Sequence, residues 1–372
     1  MDNENWFDEE FDRAVLDLDP KATTGLGPMS YYGCDVGTAL GYDPFVGFDS
    51  ERVQILRSLV RHRWMTGVRT PDPILVFIKP EPCKDSKVRS GLVRIISAVG
   101  LVDTMVDRIQ FGWLARISLE QLGRTPSLVG WSPYQGGYRY LSSLFAGEQV
   151  MCADRSNWDW TVRGWLLVAV KEVIRGLALD APKHWHEWLD ARWEALFRDA
   201  VFGFRSGERI AQPGWGVMKS GCYLTILINS ISQVLLHSLV SMRLRQSPDF
   251  DYYKVVGDDT VQRVPPNVGR YLDELKSLGV KIKEHTISKT IEFCGHVIRG
   301  TYCAPAYRGK HAFKICTASP DTLPALLRAY IHAYAMDDEM WEWLIRLVVE
   351  EAPAEHRTRG RCLDFILSRG EY

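Results

Sequence analysis

The feature that most constrains the fold is a hairpin signature at residues 253–262. Two valines lead into Gly257, Asp258 and Asp259, and a β-branched stretch follows. β-Branched residues favour strands, and glycine next to aspartate is common in tight turns. Turn chemistry alone would also account for the two acids. The run therefore predicts an antiparallel hairpin with acidic side chains at its tip and strands at residues 252–256 and 260–263.

A second acidic element lies upstream. A strand predicted at residues 150–153 ends on Asp154, and Asp159 follows five positions later. If Asp154 and Asp258 lie on adjacent strands, they can bridge two Mg²⁺ or Mn²⁺ ions about 4 Å apart, because both ions prefer carboxylate oxygens. In the alternative, Asp154 caps a helix over residues 158–170.

The segment between these acids predicts a polar helix face. Ser220 and Gly221 lead into a helix on which Gly221, Thr225 and Asn229 recur every fourth residue. Residues four apart share one face of a helix. A ribose or a backbone could lie against that face, and close packing between helices is the equally weighted alternative.

The fourth element is basic. Residues 79–94 contain five cations against two acids, and Arg94 is expected on a strand beside Val93, Ile95 and Ile96. A strand would hold the guanidinium for bidentate contact with phosphate, although most charge runs are simply solvated surface.

The remaining sequence predicts a mixed architecture with a large core. The hydrophobic share is 46% and the charged share 24%. Apolar residues recur with helical periodicity at residues 185–200 and 323–334, and residues 74–78 resemble a strand. Interleaved strands and helices indicate an α+β or mixed α/β fold. The net charge of −1 argues against a strongly cationic coat or a polybasic membrane binder.

Three further features carry weaker expectations. Residues 1–20 hold eight carboxylates against one arginine, and they are expected to be a flexible end or the remnant of a larger precursor. The apolar stretch at residues 223–240 contains too many polar side chains for a transmembrane span. The eight cysteines form no C-x-x-C pair and are expected to be reduced. Cys294, His296, Cys303 and His311 could form a zinc site. The alternative is that they are buried thiols and a packed histidine.

The order of these elements resembles that of viral RNA-dependent RNA polymerases. A basic strand, Asp-x4-Asp, Ser-Gly-x3-Thr-x3-Asn-Ser, Gly-Asp-Asp and a lysine-bearing segment follow one another. The chain is more narrowly similar to the sobemovirus, polerovirus and barnavirus branch over about residues 79–298, and Thr23 to Pro28 resemble a template-entry motif. The segments that carry this narrower similarity are Lys79-Pro-Glu-Pro, Arg94-Ile-Ile-Ser, Leu101-Val-Asp-x3-Asp-Arg108, Asp-x-Ser-x-Trp-Asp-Trp-Thr-Val at residues 154–162, and Phe293-Cys-Gly-His296.

The resemblance implies a right hand of fingers, palm and thumb, with the palm built on a small antiparallel sheet packed by helices. It implies these boundaries: an N-terminal segment and fingers at residues 1–147, with a basic NTP-entry strand at 79–96; palm at 148–202 and 220–298; a fingers/palm loop at 203–219; and a small thumb at 299–372. Phe293 to His296 would form the primer-grip turn.

The resemblance also implies the site residues. Metal ions would bind Asp154, Asp258, Asp259 and the main-chain carbonyl of Arg155. Either Lys281 or Lys283 would be the general acid for the pyrophosphate leaving group. The incoming NTP would be bound at its ribose by Asp159, Ser220, Thr225 and Asn229, and at its triphosphate by Lys79 and Arg94, with Glu81 orienting these cations.

The implied function is replication of a positive-strand RNA genome by transfer of NMP from NTP to an RNA 3′-hydroxyl, with two Mg²⁺ or Mn²⁺ ions. Expected partners are template and nascent RNA, NTPs, and a protein primer or other viral replication proteins. The expected location is the host cytoplasm, in replication complexes that partners attach to membranes. Two alternatives stay open, which are a catalytically silent RNA-binding replication scaffold and a reverse transcriptase. The pair of Asp159 and Asn229 argues against the reverse transcriptase.

Overall fold

A computed structural model describes residues 5–66 and 71–368. Within these ranges the chain forms fifteen α-helices, which are α1 Trp6–Leu16, α2 Val36–Leu40, α3 Ser50–Thr66, α4 Asp85–Arg89, α5 Leu101–Glu120, α6 Gly137–Phe145, α7 Trp158–Thr161, α8 Gly164–Leu177, α9 Lys183–Phe197, α10 Thr225–Arg243, α11 Val268–Ser277, α12 Arg308–Cys316, α13 Leu323–Ala333, α14 Asp338–Glu351 and α15 Arg359–Leu367.

The same ranges contain eleven strands in three sheets. The central sheet has the order β6-β7-β3-β8, a second sheet β2-β1-β4-β5, and a third β11-β10-β9. The expected α+β class with small antiparallel sheets is confirmed, although β1 and β4 pair in parallel. The strands are β1 Ile74–Ile78, β2 Ile95–Ala98, β3 Val150–Arg155, β4 Val201–Gly203, β5 Arg209–Ala211, β6 Tyr253–Val256, β7 Asp259–Arg263, β8 Ile282–Ser288, β9 Ile291–Phe293, β10 His296–Arg299 and β11 Tyr302–Pro305.

The central sheet is antiparallel throughout. β6 and β7 form the predicted hairpin, and β7 places Thr260 opposite Ala153 of β3. On its other side β3 pairs with β8, with a bulge between Asp154 and Arg155. The turn of the hairpin therefore lies at the same sheet end as Asp154.

Two helix expectations need correction. The helix expected over residues 158–170 is broken into α7 and α8 at Val162 and Arg163. The helix expected to include Gly221 begins only at Thr225. Gly221 instead lies against β2, where an added Cβ would come within 2.9 Å of the Ala98 Cα. Spacing alone could not reveal this strand contact. The helices expected at residues 185–200 and 323–334 are confirmed as α9 and α13.

The acidic N-terminal segment is not a flexible end, where the structure describes it. Residues 6–16 form α1, whose Phe11 is fully buried against a core with α3 and α5. Glu10 is also buried and accepts hydrogen bonds from Arg116 at 3.0 and 3.1 Å. The acids thus pair with arginines of neighbouring helices, while Asp2 and Glu4 lie outside the described residues.

A buried ion cluster joins α5 to α9. Arg192 donates to Asp107 through Nε at 2.5 Å and through Nη2 at 2.8 Å, and both side chains are about 1% exposed. Asp103, on the same helix as Asp107, accepts from Arg63 of α3 at 2.7 Å. The two aspartates of the Leu101–Arg108 motif therefore belong to a buried ion cluster that joins α3, α5 and α9.

One helix in the described ranges, α10, is long and apolar enough by length and composition to cross a membrane. Of its most apolar window, 56% is buried inside the protein. The core helix of a folded domain has the same character, so this helix is weak evidence for a span.

Candidate active site

Three carboxylates lie at one end of the central sheet. Asp258 occupies the turn between β6 and β7, Asp259 begins β7, and Asp154 lies near the end of β3. Gly257, the first turn residue, has a φ of +65° and donates its backbone N–H to Ser230 of α10 at 2.9 Å. Glycine adopts this φ without strain, so the sequence sets the conformation that presents Asp258.

Burial and neighbouring negative charge raise the pKa of two of these carboxylates, Asp258 and Asp259. Burial, followed by the negative charges of Asp258 and Asp154, raises the pKa of Asp259 to about 6. Burial and the charge of Asp154 also raise the pKa of Asp258, while the positive charges of Arg155 and Arg94 oppose the shift. The group thus carries an excess of negative charge, which a bound cation would relieve.

Lys283 already supplies one cation. Its Nζ lies 2.5 Å from Asp154 Oδ2 and 3.1 Å from Glu284 Oε1, and these hydrogen bonds raise the pKa of Lys283. Lys281 lies just before β8, where its carbonyl accepts from the Ser156 N–H at 2.8 Å. Lys283 is the candidate of the two that touches the carboxylate group. Which of them is the general acid stays a prediction.

Asp159 and Asn229 are brought together as expected. Burial and the charge of Asp258 raise the pKa of Asp159 to about 6, against the effects of Arg94 and of a hydrogen bond with Asn229. Asn229 Oδ1 accepts from Trp158 Nε1 at 2.8 Å, and this bond leaves the amide donor for Asp159. Asp159 therefore links the carboxylate group to α10.

The hydroxyls of Ser220 and Thr225 are engaged elsewhere. Ser220 Oγ accepts from the Ser97 backbone N–H of β2 at 3.1 Å. Thr225 Oγ1 donates to the carbonyls of Lys219 at 2.6 Å and Cys222 at 2.8 Å. Both side chains tie the start of α10 to its surroundings, and their contact with a ribose stays a prediction.

The basic residues surround one acid. Glu81 lies 3.7 Å from Lys79 Nζ, 3.3 Å from Arg94 Nη1 and 3.1 Å from Lys310 Nζ. Burial alone would raise the pKa of Glu81, but the Lys310 hydrogen bond and the charges of Arg94 and Lys79 lower it. Arg94 directly precedes β2 rather than lying within it, and its carbonyl accepts from the Lys79 N–H at 2.9 Å.

Lys310 was missed by the sequence reasoning. It lies on α12, and the basic run Arg308 to Lys314 was the only available signal. Its contact with Glu81 spans 229 residues of chain, which no local pattern reveals.

The remaining metal expectations have a mixed outcome. The Arg155 side chain is buried and donates to Gln233 Oε1 at 3.1 Å, so only its main-chain carbonyl stays a predicted ligand. His296 and His311 bond the tyrosine hydroxyls of Tyr134 and Tyr334 at 3.0 and 2.8 Å. Across residues 5–66 and 71–368, no three His, Cys, Asp or Glu side chains are grouped closely enough to hold a metal ion, and this holds for the three carboxylates of the central sheet as well as for the zinc alternative.

Sequence comparison assigns the family. A sequence model of the viral RNA-dependent RNA polymerase family matches residues 49–312. The chain belongs to this family. The sequence resemblance is thereby confirmed, and with it the enzyme class of RNA-directed RNA polymerase.

Individual relatives narrow the assignment. The chain is 30% identical to the replicase polyprotein P2AB of Southern bean mosaic virus over 302 residues, which cover 77% of this chain and 29% of that protein. It is 29% identical to protein P1-P2 of Potato leafroll virus over 261 residues, which cover 66% of this chain and 23% of that protein. These relatives confirm the sobemovirus and polerovirus branch, and the matched region spans about a quarter of their length.

Within this polymerase site, Asp259→Asn is expected to stabilise the protein when divalent ions are absent. The folded-state pKa of Asp259, about 6, lies above the ordinary value near 3.9. The folded chain therefore binds more protons than the unfolded chain between those values, and this group's contribution to stability falls as pH rises through that window. Urea unfolding in EDTA should show a gain of about 1–2 kcal/mol at pH 7.5 and a smaller gain at pH 4.5.

The control for this variant is Asp180→Asn, which changes an exposed aspartate outside the site. It should leave the free energy of unfolding within about 0.5 kcal/mol at both pH values. An Asp259→Asn protein less stable than the wild type at pH 7.5 would contradict the expected repulsion.

Proposed function

We propose that this chain synthesises RNA on an RNA template by transferring NMP from NTP to an RNA 3′-hydroxyl. The observation that carries the proposal is the convergence of Asp258, Asp159 and Arg94: the charge of Asp258 raises the pKa of Asp159, and the charge of Arg94 lowers the pKa of both acids. They come from a hairpin turn, a short helix and a basic hairpin that are far apart in sequence. Family membership supports the reaction type, and replication of a positive-strand genome is the expected role.

The proposed divisions follow the sheets. The central sheet, within residues 148–202 and 220–298, would be the palm, and residues 299–372 the thumb. Residues 1–147 would form the N-terminal segment and fingers, with the 203–219 loop beside them. The second sheet supports this grouping, since β4 pairs with β1 on one side and with β5 on the other. β4 spans the proposed boundary at residue 202.

The carboxylate group suits Mg²⁺ or Mn²⁺. Its donors are carboxylate oxygens, the hard ligands that these ions prefer, and a divalent ion would offset the repulsion between them. Asp154, Asp258 and Asp259 would hold the ions, together with the main-chain carbonyl of Arg155. Bound there, two ions would lower the pKa of the attacking hydroxyl and stabilise the charge on the leaving phosphate. Lys283 would have to release Asp154 for this to happen.

The chain's own residues would bind and orient the nucleotide. Lys79 and Arg94, held by Glu81, would contact the triphosphate, and Lys310 joins them in this role. The Asp159 and Asn229 pair would accept from and donate to the ribose hydroxyls. Lys281 or Lys283 would deliver a proton to pyrophosphate. Most of the rate enhancement would come from positioning and charge compensation.

The direct test incubates the purified chain with a short RNA template, four NTPs and Mg²⁺ or Mn²⁺, with and without an annealed primer. Template-dependent RNA product is the expected result, and primer dependence would show how synthesis starts. Product with dNTPs alone would indicate reverse transcription. Folded protein that binds RNA but makes no product with either ion would overturn the proposal in favour of the scaffold alternative.

Partners and location are also proposals. Template RNA, nascent RNA and NTPs follow from the reaction. One relative is named a replicase polyprotein, which suggests further viral proteins. We propose that the partners include a protein primer or other viral replication proteins. We propose that the chain works in the host cytoplasm, in replication complexes attached to membranes through such partners.

Asn229→Asp is expected to weaken selection of ribonucleotides over deoxynucleotides by about tenfold. The amide donor beside Asp159 would become a second acceptor, so the pair could no longer donate to a 2′-hydroxyl. Single-turnover incorporation of matched NTP and dNTP measures this ratio. Asn267→Asp, which keeps a helix-capping oxygen on α11, should leave it unchanged. Unchanged selectivity in Asn229→Asp would remove this residue from the ribose site.

A further inference from the structure

The exposed tryptophans of this chain are gathered in one place. All thirteen tryptophans lie within residues 5–66 and 71–368, and those with more than a third of their surface exposed are Trp160, Trp165 and Trp215, at 45%, 44% and 37%. All three line the same cleft. Tryptophan is usually well buried, so three half-exposed indoles on one cleft indicate a surface that binds something.

The cleft has a volume of about 400 Å³ and is formed by three chain segments. These are residues 160–165, around the break between α7 and α8, residues 215–217 before α10, and residues 279–281 before β8. Volumes of roughly 300–1,000 Å³ are typical of small-molecule sites.

Two glycines allow these segments to approach. A Cβ on Gly164 would come within 2.5 Å of the Trp215 Cβ. A Cβ on Gly279 would come within 2.3 Å of the Arg163 Nε, so this guanidinium lies directly over the glycine. Larger residues at either position would push apart the walls that carry Trp215 and Arg163.

The charge of the cleft is positive. Arg163 and Lys281 line it, and its lining includes no aspartate or glutamate. Indole rings stack on nucleobases of any sequence, and basic side chains bind phosphate. A ligand that is both aromatic and anionic matches this combination.

We propose that the cleft binds one nucleotide unit, its base against the tryptophans and its phosphate near Arg163 and Lys281. The unit belongs to a free nucleotide or to a single-stranded stretch of RNA. The cleft is distinct from the carboxylate group, because Asp154, Asp258 and Asp259 do not line it, although it shares Lys281 with the proposed catalytic residues. Occupancy of the cleft requires no catalysis.

The test measures binding in EDTA to protein carrying Asp258→Ala, so that synthesis and metal-dependent NTP binding are both removed. AMP, UMP, ribose 5-phosphate and a six-nucleotide single-stranded RNA are titrated by calorimetry, with tryptophan quenching as a second readout. Both nucleotides should bind, and ribose 5-phosphate should bind about tenfold more weakly because it has no base to stack. Binding of the RNA more than tenfold tighter than either nucleotide, together with its loss in Trp165→Ala, would identify the RNA strand as the source.

Matched variants place this binding in the cleft. Trp165→Ala should weaken binding of the nucleotides and the RNA about tenfold or more, and Trp165→Phe should restore part of it. Phe45→Ala, which removes a ring 98% exposed outside the cleft, should change nothing. Two results would overturn the proposal: unchanged binding by a folded Trp165→Ala protein, or no binding of any probe at millimolar concentration. The second would leave a protein partner as the occupant.

Discussion

Asp258→Ala is expected to reduce RNA synthesis by at least about a thousandfold. Asp258 is the acid at the tip of the hairpin, and its charge acts on both Asp259 and Asp159. Its removal would take away a predicted metal ligand and leave Asp154, Asp259 and the Arg155 carbonyl unable to hold two ions. Primer extension with matched protein and RNA concentrations measures the loss.

RNA binding by the same variant should stay within a few-fold of wild type, because template affinity comes from dispersed basic residues. Asp251→Ala, an exposed aspartate just before β6, serves as the control and should retain full synthesis. Synthesis by Asp258→Ala above a few per cent of wild type would rule out the metal role of this residue.

Arg192→Met is expected to cost about 3–5 kcal/mol of folding stability. The variant would leave the Asp107 carboxylate, which is about 1% exposed, without its two hydrogen bonds from the guanidinium. When a buried charge loses its partner, nothing offsets the free energy that was lost when the charge was removed from water. Urea unfolding at neutral pH measures the effect.

Two comparison variants separate charge burial from simple loss of an arginine. Arg346→Met removes a helical arginine that is 76% exposed and lies 3.8 Å from Glu342, so it should cost no more than about 0.5 kcal/mol. The double variant Arg192→Met with Asp107→Leu should recover much of the loss, since no unpaired charge remains. A cost below about 1 kcal/mol for Arg192→Met alone would contradict the role assigned to this ion pair.

Elements with strong local patterns could be predicted from the sequence. The β6–β7 hairpin follows from the β-branched residues on both sides of Gly257, and α9 and α13 follow from their three- and four-residue apolar spacing. The meeting of Asp159 with Asn229 was expected from the family resemblance alone, because the two residues are far apart in the chain. Local sequence patterns thus predicted the secondary structure, whereas the order of the motifs predicted which distant residues meet.

Contacts between distant segments could not be predicted. Ser220 bonds Ser97 across 123 residues, and this contact, rather than helical spacing, decides where the α10 helix can begin. The amphipathic helix α1 was not predicted, because the many acids near the N-terminus suggested a solvent-exposed segment, whereas Phe11 and Glu10 are buried. In each case the deciding partner lies on another element.

The ion pair between Glu81 and Lys310 bears on how the chain acquires its activity during synthesis on the ribosome. The two residues are 229 positions apart, and β8 joins β3 only after more than a hundred intervening residues. Contacts between residues so far apart in sequence form slowly, because the long loop between them must close, at an entropic cost, before the contact can stabilise the fold. A chain that ends before residue 310 would contain every proposed catalytic acid and still lack one cation at the triphosphate. We therefore expect competence to appear late, once the segment that contains Lys310 has emerged and folded back onto Glu81.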